Sequence, residues 1–170
     1  MKRMIALVLS VLLLFGCVGC GQGASRDLKD PVTFYYLADP ELDSSFDSSF
    51  VTEIHEGSSY SQDRISLLNF YFRGPYAEGA VSPFPKQLRV ITIDQPGKAV
   101  QILLNDEITT LTGLDLTLAC ACLSQTVFDL YDCRAVEIRS ESGQIDGKEF
   151  IRIEAENMIF RDSVYTDVET

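Results

Sequence analysis

The chain has 170 residues, 46% of them hydrophobic, with mean hydropathy +0.08; that supports one domain with a real core and excludes the disordered class. Twenty-five acidic side chains against 14 basic ones give a net charge of −11, and because Lys2 and Arg3 lie in a removable leader, the mature chain keeps 12 bases against 25 acids, or −13. That balance argues against nucleic acid as a partner, since phosphate binding needs clustered Lys and Arg, and it disfavours attachment to anionic headgroups by surface charge.

Met1-Lys-Arg3 is a short basic start, Met4 to Phe15 is an apolar run of 12 residues broken only by Ser10, and Gly16-Cys17 follows. This is the three-part layout of an export signal. As a helix the run covers roughly 18 Å, short of the ~30 Å hydrocarbon core, and no later run has spanning length. Leu14-Phe15-Gly16-Cys17 resembles a bacterial lipobox, in which the thiol receives diacylglycerol before the peptide is cut on its amino side. Cys17 then becomes the first mature residue. Cys17-Val18-Gly19-Cys20 offers Cys20 as a second candidate, and Leu14, three residues upstream, favours Cys17. Two or more acyl chains anchor a protein stably where one chain gives only marginal binding, at about 0.8 kcal/mol per buried methylene. The expected organisation is a lipoprotein signal peptide over 1–16, a lipidated tether over 17–30, a folded domain over 31–156 and a C-terminal tail over 157–170.

Val32 to Ala38 is rich in β-branched and aromatic residues between Pro31 and Asp39-Pro40, which predicts a strand. The Ser- and Asp-rich segment after it holds a short repeat, Asp43-Ser-Ser-Phe46 and Asp47-Ser-Ser-Phe50, and reads as a loop with a second strand over Phe50 to His55. From Ser61 the period changes: Ile65, Leu68 and Phe72 recur at helical spacing, Ser61 can cap the first turn, and Gly74-Pro75 supplies a stop. Leu88 to Asp94 and Lys98 to Leu104 flank Gln95-Pro96-Gly97, the makings of a β-hairpin. A long helix is predicted over Leu114 to Leu130, with Leu116, Cys120, Leu123, Val127 and Leu130 as its buried stripe. Cys133 to Ser140 and Lys148 to Glu154, separated by Gly143 and Gly147, close the domain as strands. The order implies an α+β domain with a mixed or antiparallel sheet and two helices packed on one face.

The residues offer little chemistry. Cys120 and Cys122 lie about 200° apart around a helix of ~3.6-residue period, so they can be neither a disulfide nor a ligand pair. Cys120 reads as core; Cys122 with Cys133 leaves a disulfide open. The lone imidazole, His55, has Glu53, Glu56, Ser58 and Ser59 around it, but no Gly-x-Ser-x-Gly elbow accompanies it, and it reads as an exposed loop residue. Asp39, Glu41, Asp43 and Asp47 lack the spacing of a calcium loop. With no phosphate-loop or dinucleotide motif either, the expectation is a non-enzyme with no catalytic residue, no metal and no cofactor.

Phe72-Arg-Gly-Pro75, Glu78-Gly-Ala-Val-Ser-Pro-Phe-Pro85, the hairpin, Thr112-Gly-Leu-Asp-Leu-Thr-Leu118, Thr126-Val-Phe128 and Ala135-Val-Glu-Ile138 together resemble a GerMN domain, the sporulation and spore germination domain of Gram-positive lipoproteins. The likeness covers about residues 32 to 147. Its marks are turns, caps and core, and they identify a fold rather than a site. The resemblance implies an extracytoplasmic, membrane-anchored interaction or scaffold module in sporulation, germination or envelope assembly. Its expected partners are the membrane through the lipid, an envelope protein, and a further copy of the chain. A sheet edge and an acidic helix face would do the binding. The alternative is a lipoprotein that binds cell-wall peptidoglycan, with Tyr35, Tyr36, Tyr60 and Tyr71 stacking on sugars, or one that modulates a membrane sensor.

Overall fold

The computed structural model describes residues 30–39, 41, 50–57 and 63–158. Strand β1, Pro31–Ala38, buries Val32, Phe34 and Tyr36 on alternate positions, the pattern of a sheet with one face in the core. It pairs antiparallel with β2, Phe50–Glu56, and through Leu37 and Ala38 with the two-residue β3, Ala80–Val81. These three form one sheet in the order β2-β1-β3. The two-residue β3 has no period of its own, and sequence pattern does not single it out.

Between β2 and β3 lies helix α1, Arg64–Tyr71. Its cap is Asp63, whose carboxylate accepts from the amide of Ser66 at 2.9 Å; Ser61, the expected cap, lies outside the described residues. The helix ends at Tyr71, just before the expected stop at Gly74, whose φ of +102° is strained for any residue with a Cβ.

The predicted hairpin is present as β4, Val90–Asp94, and β5, Ala99–Leu104, joined through Gly97. A 3-10 turn over Asp106–Thr110 leads into α2, Gly113–Leu130, and the chain returns as β6, Ala135–Ser140. Because α2 intervenes, β6 lies parallel to β5, as a crossover of that length permits. β7, Ile151–Glu154, then pairs antiparallel with β6. The turn before it places Asp146 and Gly147 at φ +50° and +74° between the bridged residues Ile145 and Lys148, an Asp-Gly step suited to left-handed backbone.

The α+β class holds, with two helices and a mixed set of strands. The strands divide into two sheets, however, the second ordered β4-β5-β6-β7. α2 explains the division, because it is buried on more than one side. Leu116, Cys120, Leu123 and Val127 form the expected stripe, while Ala119, Cys122, Ser124 and Thr126 are also buried. α2 packs against β1 of one sheet and against β6 and β7 of the other, and α1 packs on β4. The result is one continuous core from Phe34, Leu68 and Tyr71 through Leu123 to Ile102 and Ile138.

Candidate interaction surfaces

The edge of β1 is closed by side chains. The amide of Tyr35 donates to Thr126 Oγ1 of α2 at 3.2 Å, and the Tyr71 hydroxyl donates to the Tyr35 carbonyl at 2.5 Å. Tyr36 in turn donates its hydroxyl to the Tyr71 carbonyl at 3.0 Å. Burial raises the pKa of both Tyr36 and Tyr71, so the two phenols stay protonated and act as donors. With β1 paired on one side and closed in this way on the other, β2 is the longer of the two edge strands of this sheet, and among the described residues no strand other than β1 pairs with it. There Ile54 is 60% exposed on a strand, and in register it shares the outer face with Thr33 and, along β1, with Leu37 opposite the exposed Val81.

The outer face of the second sheet is polar and organised around Glu137. In register, Gln101, Glu137 and Arg152 stand side by side on β5, β6 and β7. Gln101 Nε2 donates to Glu137 Oε2 at 2.9 Å, Arg152 Nη1 to Oε1 at 2.6 Å, and Arg139 Nη2 to Oε2 at 3.4 Å. Arg152 also holds Glu154, and the Arg139 guanidinium lies 4.9 Å from the Phe150 ring centroid. Desolvation pushes the Glu137 carboxyl up, but the hydrogen bonds from Arg152, Arg139 and Gln101 outweigh it and leave the group below its ordinary value. This paired-charge lattice orders the face.

The expected acidic helix face is tied to no particular helix by the sequence, and on α2 such a face is thin. Asp115 is exposed in the first turn, but Asp129 accepts from the Tyr35 hydroxyl at 2.9 Å and from Gln125 at 3.3 Å.

His55 lies within the strand expected over Phe50 to His55, now β2, but the expectation of an exposed residue is corrected, because its side chain is 22% exposed and packed among aromatics. Its ring packs 4.9 Å from Phe34 and 5.5 Å from Phe70, and Nε2 meets Glu53 Oε2 at 2.9 Å. Glu53, itself buried, accepts through Oε1 from the amides of Tyr76 and Ala77 at 2.7 and 2.5 Å. The pair is a latch between β2 and the loop that leaves α1. Sequence pattern hides it because Glu53 and Tyr76 are 23 residues apart.

The three domain cysteines are free thiols, and the disulfide left open between Cys122 and Cys133 is not formed. Burial pushes Cys120 and Cys122 up to about 12, which suits core packing and opposes thiolate chemistry. Cys120 also lines a cavity of about 200 Å³ between α2 and β7, beside Leu116, Ile151 and Ile153. Asp39 accepts from the amide of Glu41 at 2.9 Å, an ordinary local turn; Asp43 and Asp47 lie outside the described residues. Among the described residues no three His, Cys, Asp or Glu side chains gather as a metal centre. Of the tyrosines proposed for stacking on sugars, Tyr36 and Tyr71 are buried core, Tyr35 is tied to Asp129, and Tyr60 lies outside the described residues. Cys17 and Cys20 lie outside them too.

No protein-family model matches the chain, and no curated protein matches it. Among solved structures, the tandem GerMN domains of the sporulation protein GerM from Bacillus subtilis are similar, with TM-score 0.51 and 19% identity over 71% of this chain. The chain spans 44% of that tandem-domain chain. A candidate lipoprotein from Clostridium perfringens aligns over 74% of this chain and 87% of its own at 13% identity, with a TM-score of 0.40 that carries the comparison no further. By its architecture and by the first of these likenesses, the chain has a GerMN-like fold.

Proposed function

We propose that the protein is a lipid-anchored extracytoplasmic interaction module, held to the outer face of the cell membrane through Cys17, or Cys20, and engaging an envelope protein without catalysing a reaction. The observation that carries this reading is the edge of β2, which among the described residues pairs with no strand other than β1. It presents backbone for strand addition and an exposed Ile54 beside it, while the neighbouring edge of β1 is closed by Thr126 and Tyr71. The leader supplies the anchor. Confinement to a surface raises the effective concentration of a partner, so a modest strand-to-strand contact suffices. The similarity to GerM, a sporulation protein, supports a place in sporulation or in the envelope assembly that accompanies it.

The test is a photo-crosslinkable residue at position 54 in intact cells, with position 114 of α2, somewhat more exposed, as control. A discrete protein adduct from position 54 that is absent from position 114 is expected. Adducts from neither position, or equal adducts from both, overturn the docking edge. Labelled palmitate lost only on Cys17→Ala or Cys20→Ala tests the anchor separately, and unlabelled wild type in the culture supernatant overturns it.

A further inference from the structure

A separate surface feature lies at the exit of α1. The end of α1 and the segment 85–90 enclose an open cleft of about 650 Å³ that carries Arg73, Lys86 and Arg89 against one acid, Glu107. In a chain of net charge −11 that is a local reversal of sign. Elsewhere Lys98 pairs with Asp132, while Arg139 and Arg152 pair with Glu137. Arg73, Lys86 and Arg89 are all exposed, and none of them forms an ion pair among the described residues. The Arg73 guanidinium is placed over the Phe70 ring, 6.0 Å from its centroid.

The segment carrying Lys86 and Arg89 is irregular, yet its backbone is held at almost every position. Asn105, 8% exposed, accepts from the Arg89 amide at 2.9 Å and donates to the Gln87 carbonyl at 3.0 Å, and its own amide donates to the Arg89 carbonyl at 3.0 Å. Asn69 of α1 accepts from the Val90 amide at 2.9 Å, and the Leu88 amide donates to Pro85 at 3.0 Å. Two carboxamides from distant parts of the chain thus fix a loop that would otherwise be free. Such a frame presents its cations without an ordering cost at binding.

We propose that this cleft binds a small anion through its phosphoryl group. The donors come from two sides, Arg73 from the helix exit and Lys86 and Arg89 from the fixed segment. A phosphoryl group can meet donors from both sides with three oxygens, whereas a planar carboxylate is satisfied by a single guanidinium fork. The local excess of positive charge also matches a dianion better than a monoanion. The half charge at the C-terminal end of α1 opposes any anion, and Arg73 offsets it. The ligand is small, because the strongly acidic remainder of the molecule repels a long polyanion. This inference depends on neither the lipid anchor nor the β2 edge.

The probe is inorganic pyrophosphate, titrated into the full chain, ¹⁵N-labelled, in neutral detergent at low salt, with succinate at matched ionic strength as the carboxylate arm. Saturable amide shifts at Gln87, Arg89 and Val90 are expected with pyrophosphate, with succinate weaker by about tenfold, as one lost charge-assisted hydrogen bond implies. Arg73→Gln combined with Arg89→Gln, both at exposed positions, abolishes saturation, and Lys148→Gln on a separate turn leaves it unchanged. Absence of saturation in the wild type, equal response to succinate, or an unaffected double variant overturns the site.

Discussion

The amide of Tyr35 and the hydroxyl of Thr126 are joined at 3.2 Å across 91 residues of chain. That bond, with the Tyr71 hydroxyl on the Tyr35 carbonyl, lets one helix stand where another strand would otherwise pair. Thr126→Val keeps the shape and removes the acceptor, leaving a part-buried amide without its partner. A loss of about 1–3 kcal/mol is expected in urea unfolding, with Thr126→Ser close to wild type. Equal stability of the valine and serine variants would show that the hydroxyl does not close the edge.

The latch at Glu53 makes the opposite prediction from the one an exposed loop histidine invites. His55 packs on Phe34 and Phe70, so His55→Ala removes aromatic contact from the edge of the core and costs about 1–3 kcal/mol. Glu53→Ala also frees the amides of Tyr76 and Ala77, so it is expected to be the more damaging of the two, and Glu53→Gln, which keeps the acceptor oxygen, the mildest. Thermal unfolding of the three variants orders them. A neutral His55→Ala would remove the latch from the account.

How much was legible follows from the range of the forces involved. Period and turn chemistry are local, so the hairpin around Gly97, the exit at Gly74 and the long helix from Gly113 are all visible as residue patterns. The second buried side of α2 is not visible in the same way. Thr126, Ser124 and Cys122 look like polar or indifferent positions flanking the apolar stripe of an amphipathic helix, yet all three are buried, Thr126 against β1. The same holds for the candidate surfaces. Glu137 looks like any outward residue of a strand until Gln101 and Arg152 arrive on either side, and the Asn105 bracket depends on contacts 16 and 18 residues away. The burial of His55 is hidden for a related reason: its neighbours in sequence are largely polar, and its neighbours in space are aromatic.

Thiol reactivity gives a direct check of helix burial. Cys120 and Cys122 are buried and pushed up to about 12, while Cys133 is half-exposed and raised less, by burial first and then by the adjacent Asp132. In the native domain at pH 8 an aromatic disulfide reagent is expected to modify Cys133 alone among the three, with Cys120 and Cys122 reacting only after urea unfolds the chain. Mass mapping assigns the sites. Rapid native modification of Cys122 would contradict the contact of α2 with β1, and a single native thiol in the unfolded chain would indicate a disulfide after all.

Acid stability tests the lattice on the outer sheet face. The folded-state pKa of Glu137 lies below the ordinary 4.5, so the unfolded chain takes up a proton before the native one does. Its contribution is present above about pH 4.5 and is lost as pH falls through the folded value. What covers this carboxylate is a layer of surface guanidinium groups in place of apolar core, so water and salt screen the interaction and its size is modest. Glu137→Gln keeps an acceptor for Arg152 and removes the titration. The midpoint of urea unfolding should therefore fall less steeply as pH drops below about 4.5 in this variant than in wild type. A residual slope should persist, because Asp63 and Asp132, lowered by hydrogen bonds from Ser66 and Lys98, still titrate. At about 0.5 M salt the two profiles should converge as the Debye length shrinks. Parallel profiles at low salt would mean that the lattice orders the face without contributing to acid stability.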